Sequence, residues 1–349
     1  MSLRDYGWCS YFANQLGLDE LDVLIPARVV AMHRAGIVVT DGTAEFQLPL
    51  GSGWFQREPE ERPTVGDWLL VAPSQDRVVR LLERKSLLKR LAAGSAAEVQ
   101  LIAANVDTMF VVTSCNEEFN DSRLERYLAM ASGSGTEAVV VLTKRDLAGD
   151  PDAYIDRVRA VAAHAAIEPV NALDASTLDG IRACCQPGQT VALVGSSGVG
   201  KSTLLNSLAG REVQATGGIR EDDAHGRHTT TSRSLHLLAQ GALLLDVPGL
   251  RELGLSGLDR GASAVFDDIQ ALASRCRFAD CAHQSEPQCA VRAAIESGEL
   301  DERRFRNYQK LLREEARNAA SIAERRQAHR RFAKRVRKVV KEKERFRPN

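Results

Sequence analysis

Between residues 27 and 82 the chain alternates apolar and polar positions in short runs, at 27–32, 35–39, 45–50, 67–71 and 77–82. Turn-forming stretches, Asp41-Gly42 and Pro63-Thr64-Val65-Gly66, punctuate them. A period of two interrupted this often predicts strands joined by tight turns, hence a small all-β barrel. From Asn105 the pattern changes. An apolar strand at 109–112 is followed by helical periodicity at 123–131, a strand at 138–142, a helix at 152–165, a strand at 191–194 and a helix at 201–208. Strands alternating with helices predict βαβ units and a mostly parallel sheet. Past Gly257 a helix at 260–273 leads into a cysteine-rich stretch, and charged helical segments follow at 300–319 and 323–343. The expected division is an N-terminal extension (1–25), an all-β domain (26–95), an α/β domain (96–256) and an α-helical domain with a basic tail (257–349).

Composition narrows the setting. With 349 residues, 44% hydrophobic and 26% charged, the chain can bury more than one core. Residues 1–16 interleave Arg4, Asp5, Asn14 and Gln15 with apolar positions, unlike the apolar run of a secretory signal. No stretch reaches the roughly 20 apolar residues of a membrane-spanning helix, so a cytoplasmic protein with no membrane partner is expected. Zero net charge conceals an asymmetry: residues 301–349 hold 18 Lys or Arg against 7 Asp or Glu, whereas residues 1–300 hold 28 against 39. Such a tail is either a solvated basic helix or a contact for a polyanion.

The first chemical motif is Gly195-Ser196-Ser197-Gly198-Val199-Gly200-Lys201-Ser202, which fits G-x-x-x-x-G-K-S between a predicted strand and a predicted helix. Glycines let the backbone close round phosphate oxygens, offering them amide N–H groups and the positive end of the helix dipole. Lys201 would reach the β and γ phosphates and the Ser202 hydroxyl would ligate Mg²⁺, with Thr203 completing the binding set. An ordinary glycine-rich turn lacks that strand-to-helix context. The loop indicates a nucleoside triphosphate without choosing its base.

The base is read elsewhere. Thr143-Lys144-Arg145-Asp146, at the end of the 138–142 strand, is a variant of N-K-x-D. One carboxylate, Asp146, can accept guanine N1–H and N2–H₂ together, a donor pair that adenine lacks. The aliphatic stem of Lys144 would cover the base, and Thr143 in place of Asn leaves a polar side chain to tie this turn to the phosphate loop. An exposed helix start with an early Asp would give the same letters. Asn171-Ala172, at the end of the next strand, offers backbone contact to guanine O6. Asp246-Val247-Pro248-Gly249 fits D-x-x-G, whose carboxylate holds the Mg²⁺ shell and whose glycine N–H meets the γ-phosphate. Between these lies the polar Gly226-Arg227-His228-Thr229-Thr230-Thr231. Thr229 or Thr230 would complete the Mg²⁺ sphere, Thr230 being the assigned ligand. Leu250 occupies the position where several GTPases carry a water-orienting glutamine. His228 is the nearest titratable candidate for that catalytic role, the alternative being a histidine merely exposed in a loop.

Cys276-x₄-Cys281-x-His283-x₅-Cys289 brings three thiols and an imidazole within fourteen residues. Such a closed soft-ligand set suits one structural, tetrahedral Zn²⁺ with no open position, the alternative being buried free cysteines. The odd total of seven cysteines argues against a disulfide framework.

In this order, T-K-R-D, G-S-S-G-V-G-K-S, G-R-H-T-T-T, D-V-P-G and C-x₄-C-x-H-x₅-C, the motifs resemble the ribosome small subunit-dependent GTPase A family (RsgA, also called YjeQ or YloQ). The resemblance covers almost the whole chain and extends to Ala104-Asn105-Val106-Asp107, Arg123-Leu124-Glu125-Arg126-Tyr127-Leu128, Arg251-Glu252-Leu253-Gly254 and Phe278-Ala279-Asp280-Cys281. It implies an OB-fold for the β-rich start, a circularly permuted GTPase in the middle and a zinc-binding domain at the end. It further implies GTP and GDP as ligands, a late assembly factor for the small ribosomal subunit, and stimulation of hydrolysis by that subunit's rRNA. A monomer and a catalytic His228 are expected with it. A rival from another class is an RNA-binding module that uses guanine nucleotide mainly as a structural switch ligand. An ATP-using enzyme is opposed by Asp146. Trp54, Phe55 and Trp68 could stack on bases or fill the barrel core.

Overall fold

The computed structural model describes residues 1–33, 36–91, 99–210, 233–246 and 259–320. Strands β1 (Ile25–His33), β2 (Gly36–Thr40), β3 (Glu45–Leu48), β4 (Trp68–Val71) and β5 (Val78–Leu81) pair antiparallel in the order β3-β2-β1-β4-β5. Their alternating residues Ala27, Val29, Ile37, Val39, Leu48, Leu69 and Val71 share one apolar cluster, as a period of two requires. A hairpin of β6 (Leu87–Leu91) and β7 (Val99–Ala104) follows, which the sequence pattern did not announce.

The remaining strands are β8 (Thr108–Ser114), β9 (Glu137–Thr143), β10 (Ala166–Pro169), β11 (Thr190–Val194), β12 (Arg233–Leu237) and β13 (Leu243–Asp246). They lie in the order β10-β9-β8-β11-β13-β12, all parallel except β12. A strand such as β8, reading TMFVVTS, is apolar on both faces because helices cover both. Phe110 and Val112 face Leu204, Leu205 and Leu208 on one side. Met109 and Val111 belong on the other side to a cluster that also takes in Leu124, Phe266, Ile269, Phe305 and Leu311. The C-terminal helices therefore share the core of the α/β sheet.

Two further features depart from the sequence outline. First, the sheets are continuous, since Ala31 and Met32 of β1 pair with Ser234 and Arg233 of β12. Second, the stretch before β1 is packed into the body, with Trp8 and Phe12 against Trp68 at ring-centroid distances of 4.8 and 5.7 Å. Arg28, fully buried, pins this junction by donating to the carbonyls of Tyr6, Gly66 and Asn105 and to the Thr190 hydroxyl. Burial pushes its guanidinium down to about 10, so it remains charged near neutrality. Trp68 and Trp54 are core residues, and only Phe55 of the three aromatics is exposed.

The helices follow their local signals. Asp121–Ser134 begins on Asn120, whose side chain accepts from Arg123 N at 2.9 Å, and ends on Gly135. Pro151–Val161 starts on Asp150 with proline in its first turn, and stops before the residue 165 that periodicity suggested. The helix expected over 260–273 is instead two, Asp259–Val265 and Asp267–Ala273, broken at Phe266. The cause is packing: Phe266 is fully buried, and Gly261 approaches so closely that a Cβ there would lie 1.8 Å from Ala129 O. A short helix, Ala290–Ser297, precedes a final one over 302–320. Among the described residues no helix is long and apolar enough to cross a membrane. The predicted helix at 323–343 lies outside the described residues.

Candidate functional site

The carboxyl ends of β10, β9, β8, β11 and β13 converge on one edge, where ligands of open α/β sheets bind. β11 runs into the phosphate loop and the loop into the Lys201–Ala209 helix. The register explains two glycines. A Cβ on Gly195 would lie 2.2 Å from Val112 O of the neighbouring strand, and Gly200, at φ 90°, turns the chain into the helix in a conformation that side chains resist. Val199 is buried beneath the loop. Lys201 Nζ folds back to donate to Gly195 O, at 2.7 Å, and to Ser196 O. Its ammonium thus sits over the mouth of the loop, and phosphate oxygens can take over its donors. Ser202 and Thr203 stand half-buried in the first helical turn.

The guanine-motif strand is stitched to this loop. Thr143 Oγ1 lies 2.6 Å from Val199 O and 3.1 Å from Thr113 O, so its single proton bonds the end of β9 to the phosphate loop. Ser207 Oγ donates to Ala172 O at 2.6 Å, which fixes the turn after β10 against the same helix. Lys144 adopts a left-handed conformation (φ 57°), and the short 3₁₀ turn Arg145–Leu147 leaves Asp146 exposed. Asn171 Oδ1 accepts from Leu173 N at 3.0 Å, so this side chain folds its own turn while Thr177 Oγ1 bonds its backbone. Cys115, whose N–H bonds Thr143 O at 2.9 Å, is a neutral filler, since burial pushes its thiol up to about 11.

Asp246 ends β13, one residue beyond the pairing of Leu245 with Ala192 in β11, so its backbone lies beside the end of the strand that leads into the phosphate loop. His228, Thr229, Thr230, Gly249 and Leu250 lie outside the described residues. One contact went unread in the sequence. Arg123, from the Asp121–Ser134 helix, donates to Ser196 Oγ, and Tyr127 on the same helix has Ser196 as a side-chain partner. The spacing of two residues one helical turn apart was the available signal.

Far along the chain, Cys276, Cys281, His283 and Cys289 bring ligand atoms within 4.8 Å of one another. A tetrahedral centre with metal–sulfur bonds of about 2.3 Å and metal–nitrogen bonds of about 2.0 Å requires edges of roughly 3.5–3.8 Å. The distances are 3.9 Å for Cys276 Sγ to Cys289 Sγ, 3.6 Å for Cys276 Sγ to His283 Nδ1 and 3.3 Å for His283 Nδ1 to Cys289 Sγ. Cys276, His283 and Cys289 thus stand at near-tetrahedral spacing with Cys281 within 4.8 Å of them, a set that could hold a metal ion. Cys289 also caps the Ala290–Ser297 helix, its sulfur accepting from Arg292 N at 3.5 Å. Glu286, which the motif spacing did not single out, braces the loop between the ligands. It accepts from the amides of Ala282, Gln284 and Ser285 at 2.8–3.0 Å. Its own N–H and those three hold the carboxyl down to about 2.

The comparisons with known proteins agree with this geometry. Residues 81–256 match the family model described as RsgA GTPase. A curated relative from Vibrio parahaemolyticus, called small ribosomal subunit biogenesis GTPase RsgA 2, is 50% identical over 341 residues, which cover 98% of this chain and 93% of the relative. The crystal structure of YjeQ from Thermotoga maritima shares the fold at 23% identity and a TM-score of 0.60, over 84% of this chain and 98% of that one. That of YloQ, a circularly permuted GTPase, does so at 22% identity and a TM-score of 0.58, over 86% and 97%. The chain belongs to the RsgA GTPase family, and with membership go hydrolysis of GTP and the ligands GTP, GDP and Mg²⁺.

Proposed function

We propose that this chain hydrolyses GTP to GDP and phosphate while bound to the small ribosomal subunit late in that subunit's assembly, and leaves after hydrolysis. The relatives' name carries the ribosomal part of this reading. The observation that carries the nucleotide part is the Thr143 hydroxyl on Val199 O, which joins the guanine motif to the phosphate loop although the two occur in inverted order along the chain.

In this reading Asp146 accepts the guanine N1–H and N2–H₂, Lys144 covers the base, Arg145 flanks it, and the backbone at Asn171 and Ala172 meets O6. The amides of Gly195–Ser202, with Thr203, wrap the phosphates, and Lys201 exchanges loop carbonyls for β and γ oxygens. Water attacks the γ-phosphorus as the bond to the β–γ bridging oxygen breaks, and the negative charge passes to the GDP oxygens facing Lys201. Ser202 and Thr230, with Asp246 nearby, would hold Mg²⁺, which would supply neutralisation of the charge developing there. Thr229 supports the switch, Gly249 N–H meets the γ-phosphate, and His228 orients the attacking water where Leu250 cannot.

Cys276, Cys281, His283 and Cys289 hold one structural Zn²⁺. Residues 26–95 act as an OB-fold and the basic stretch 301–349 as a second RNA-gripping surface, since neutralising phosphates needs only Lys and Arg. The GTPase spans 96–256 and the zinc domain 257–349, the protein working as a cytoplasmic monomer.

The deciding experiment is GTP turnover with and without purified small subunits. Stimulation by subunits that His228→Ala removes supports the reading. Equal turnover in both conditions, with tight guanine nucleotide binding, would leave an RNA-binding module that uses nucleotide as a structural ligand.

A further inference from the structure

Four arginines on or beside the Asp121–Ser134 helix each meet a carboxylate. Arg126 pairs with Glu314, Arg157 with Asp121, and Arg303 and Arg304 share the fully buried Glu125. Arg123 differs. Among the described residues no carboxylate lies within ion-pair reach of it, and its guanidinium is aimed at the hydroxyl of Ser196, the second residue of the phosphate loop. On its other side Ser196 is held by Lys201, whose ammonium takes the Ser196 carbonyl.

These two tethers have different fates when nucleotide enters. Lys201 must give up the loop carbonyls to serve phosphate oxygens, so its hold on Ser196 ends. The Arg123 bond is to the Ser196 hydroxyl and not to a loop carbonyl, so it needs no exchange. The helix carrying Arg123 is itself immobilised by Glu125, which accepts from Arg303 and Arg304 at 3.2 and 3.0 Å, and by Ser122 O, which accepts from Asn307 Nδ2. A rigid support behind a long side chain sets the position of what that side chain holds.

We infer that Arg123 is a positioning residue for GTP hydrolysis: through Ser196 Oγ it keeps the γ-phosphate end of the loop in place once Lys201 has moved to the nucleotide. This rests on the GTPase reading above. Ser196 precedes the helix start by five residues, and it is the amides of that first helical turn that would grip the inner phosphates. The residue therefore matters to the rate of γ-phosphoryl release and little to GDP affinity.

The test uses the full-length chain with Mg²⁺ and GTP, measuring kcat, KM and GDP affinity for wild type, R123A, R123K, S196A, the R123A/S196A double variant and R126A. The expected result is a fall in kcat of about tenfold in R123A, of similar size in S196A, with no further fall in the double variant. GDP affinity stays within about threefold, R123K recovers part of the rate because it keeps a donor, and R126A matches wild type. S196A carries the test should R123A fail to fold, since it removes only a hydroxyl. A kcat for R123A within twofold of wild type, effects that multiply in the double variant, or a loss of GDP affinity in step with kcat would overturn the inference. Absence of GTP hydrolysis by wild type would instead overturn the GTPase reading.

Discussion

The nucleotide edge of the sheet and the cysteine loop are both small polar sites, yet they are built by opposite means. At the nucleotide edge, Thr143, Val194 and Val199 are almost wholly buried, and strands apolar on both faces deliver the site residues to their positions. Between 276 and 289 only Cys289 is buried, and what orders the segment is four ligand side chains and the amide-bound Glu286. The first site is set by hydrophobic burial before any ligand arrives. The second contains little apolar surface of its own, so the binding energy of a metal held there would be its folding energy. If that contrast is right, damage at one end should stay there.

The largest expected effect comes from Lys201→Ala. Losing the ammonium at the γ-phosphate should cut GTP turnover by about 100-fold or more, while the thermal unfolding midpoint and metal content remain those of wild type. A matching fall in metal content would break the separation of the two sites. Next in size is Asp146→Asn. Replacing an acceptor by an amide that offers a donor should weaken GTP binding by about 10–100-fold, the value of a charged hydrogen bond, and narrow the gap between GTP and ATP in a competition titration.

At the other end, Glu286→Ala removes the brace from the ligand loop and should weaken metal binding by about tenfold in a chelator competition, with GDP affinity unchanged. Because its amides keep Glu286 ionised down to about 2, the brace is fully present above the ordinary carboxylate range and is lost only as pH falls towards that value. Metal release should then run parallel in wild type and in Glu286→Gln above about pH 5.5, the wild type's advantage shrinking as pH falls through the ordinary carboxylate value towards about 2. The smallest effect is expected from Thr143→Val, which deletes the stitch to Val199 O. About 1 kcal/mol, or roughly fivefold in GTP affinity, is the value of one such neutral bond, and isothermal titration resolves it.

Much of both sites was legible along the chain. Gly195 and Gly200 had to be glycine because a neighbouring carbonyl and a left-handed turn leave no room for a side chain, so the phosphate loop writes itself into the sequence. The cysteine loop is legible for a similar reason, since a metal imposes ligand types and short spacings. Helix limits at Asn120 and Asp150 follow from capping. The break at Phe266 was not legible, because a periodic apolar stretch reads as one helix whether or not Gly261 must press against Ala129.

The sequence alone determined the chemistry of this protein: which residues can cradle phosphate, accept from guanine or ligate a metal, and roughly where strands and helices fall. Only the tertiary structure decided who meets whom. Thr143 reaches Val199 across 56 residues, Arg123 reaches Ser196 across 73, and Glu125 reaches Arg304 across 179. Strand β1 joins the N-terminal strands to the α/β sheet by pairing with β12. Residue type and periodicity express constraints within a few neighbours of the chain, whereas these contacts depend on how whole layers bury their apolar faces against one another.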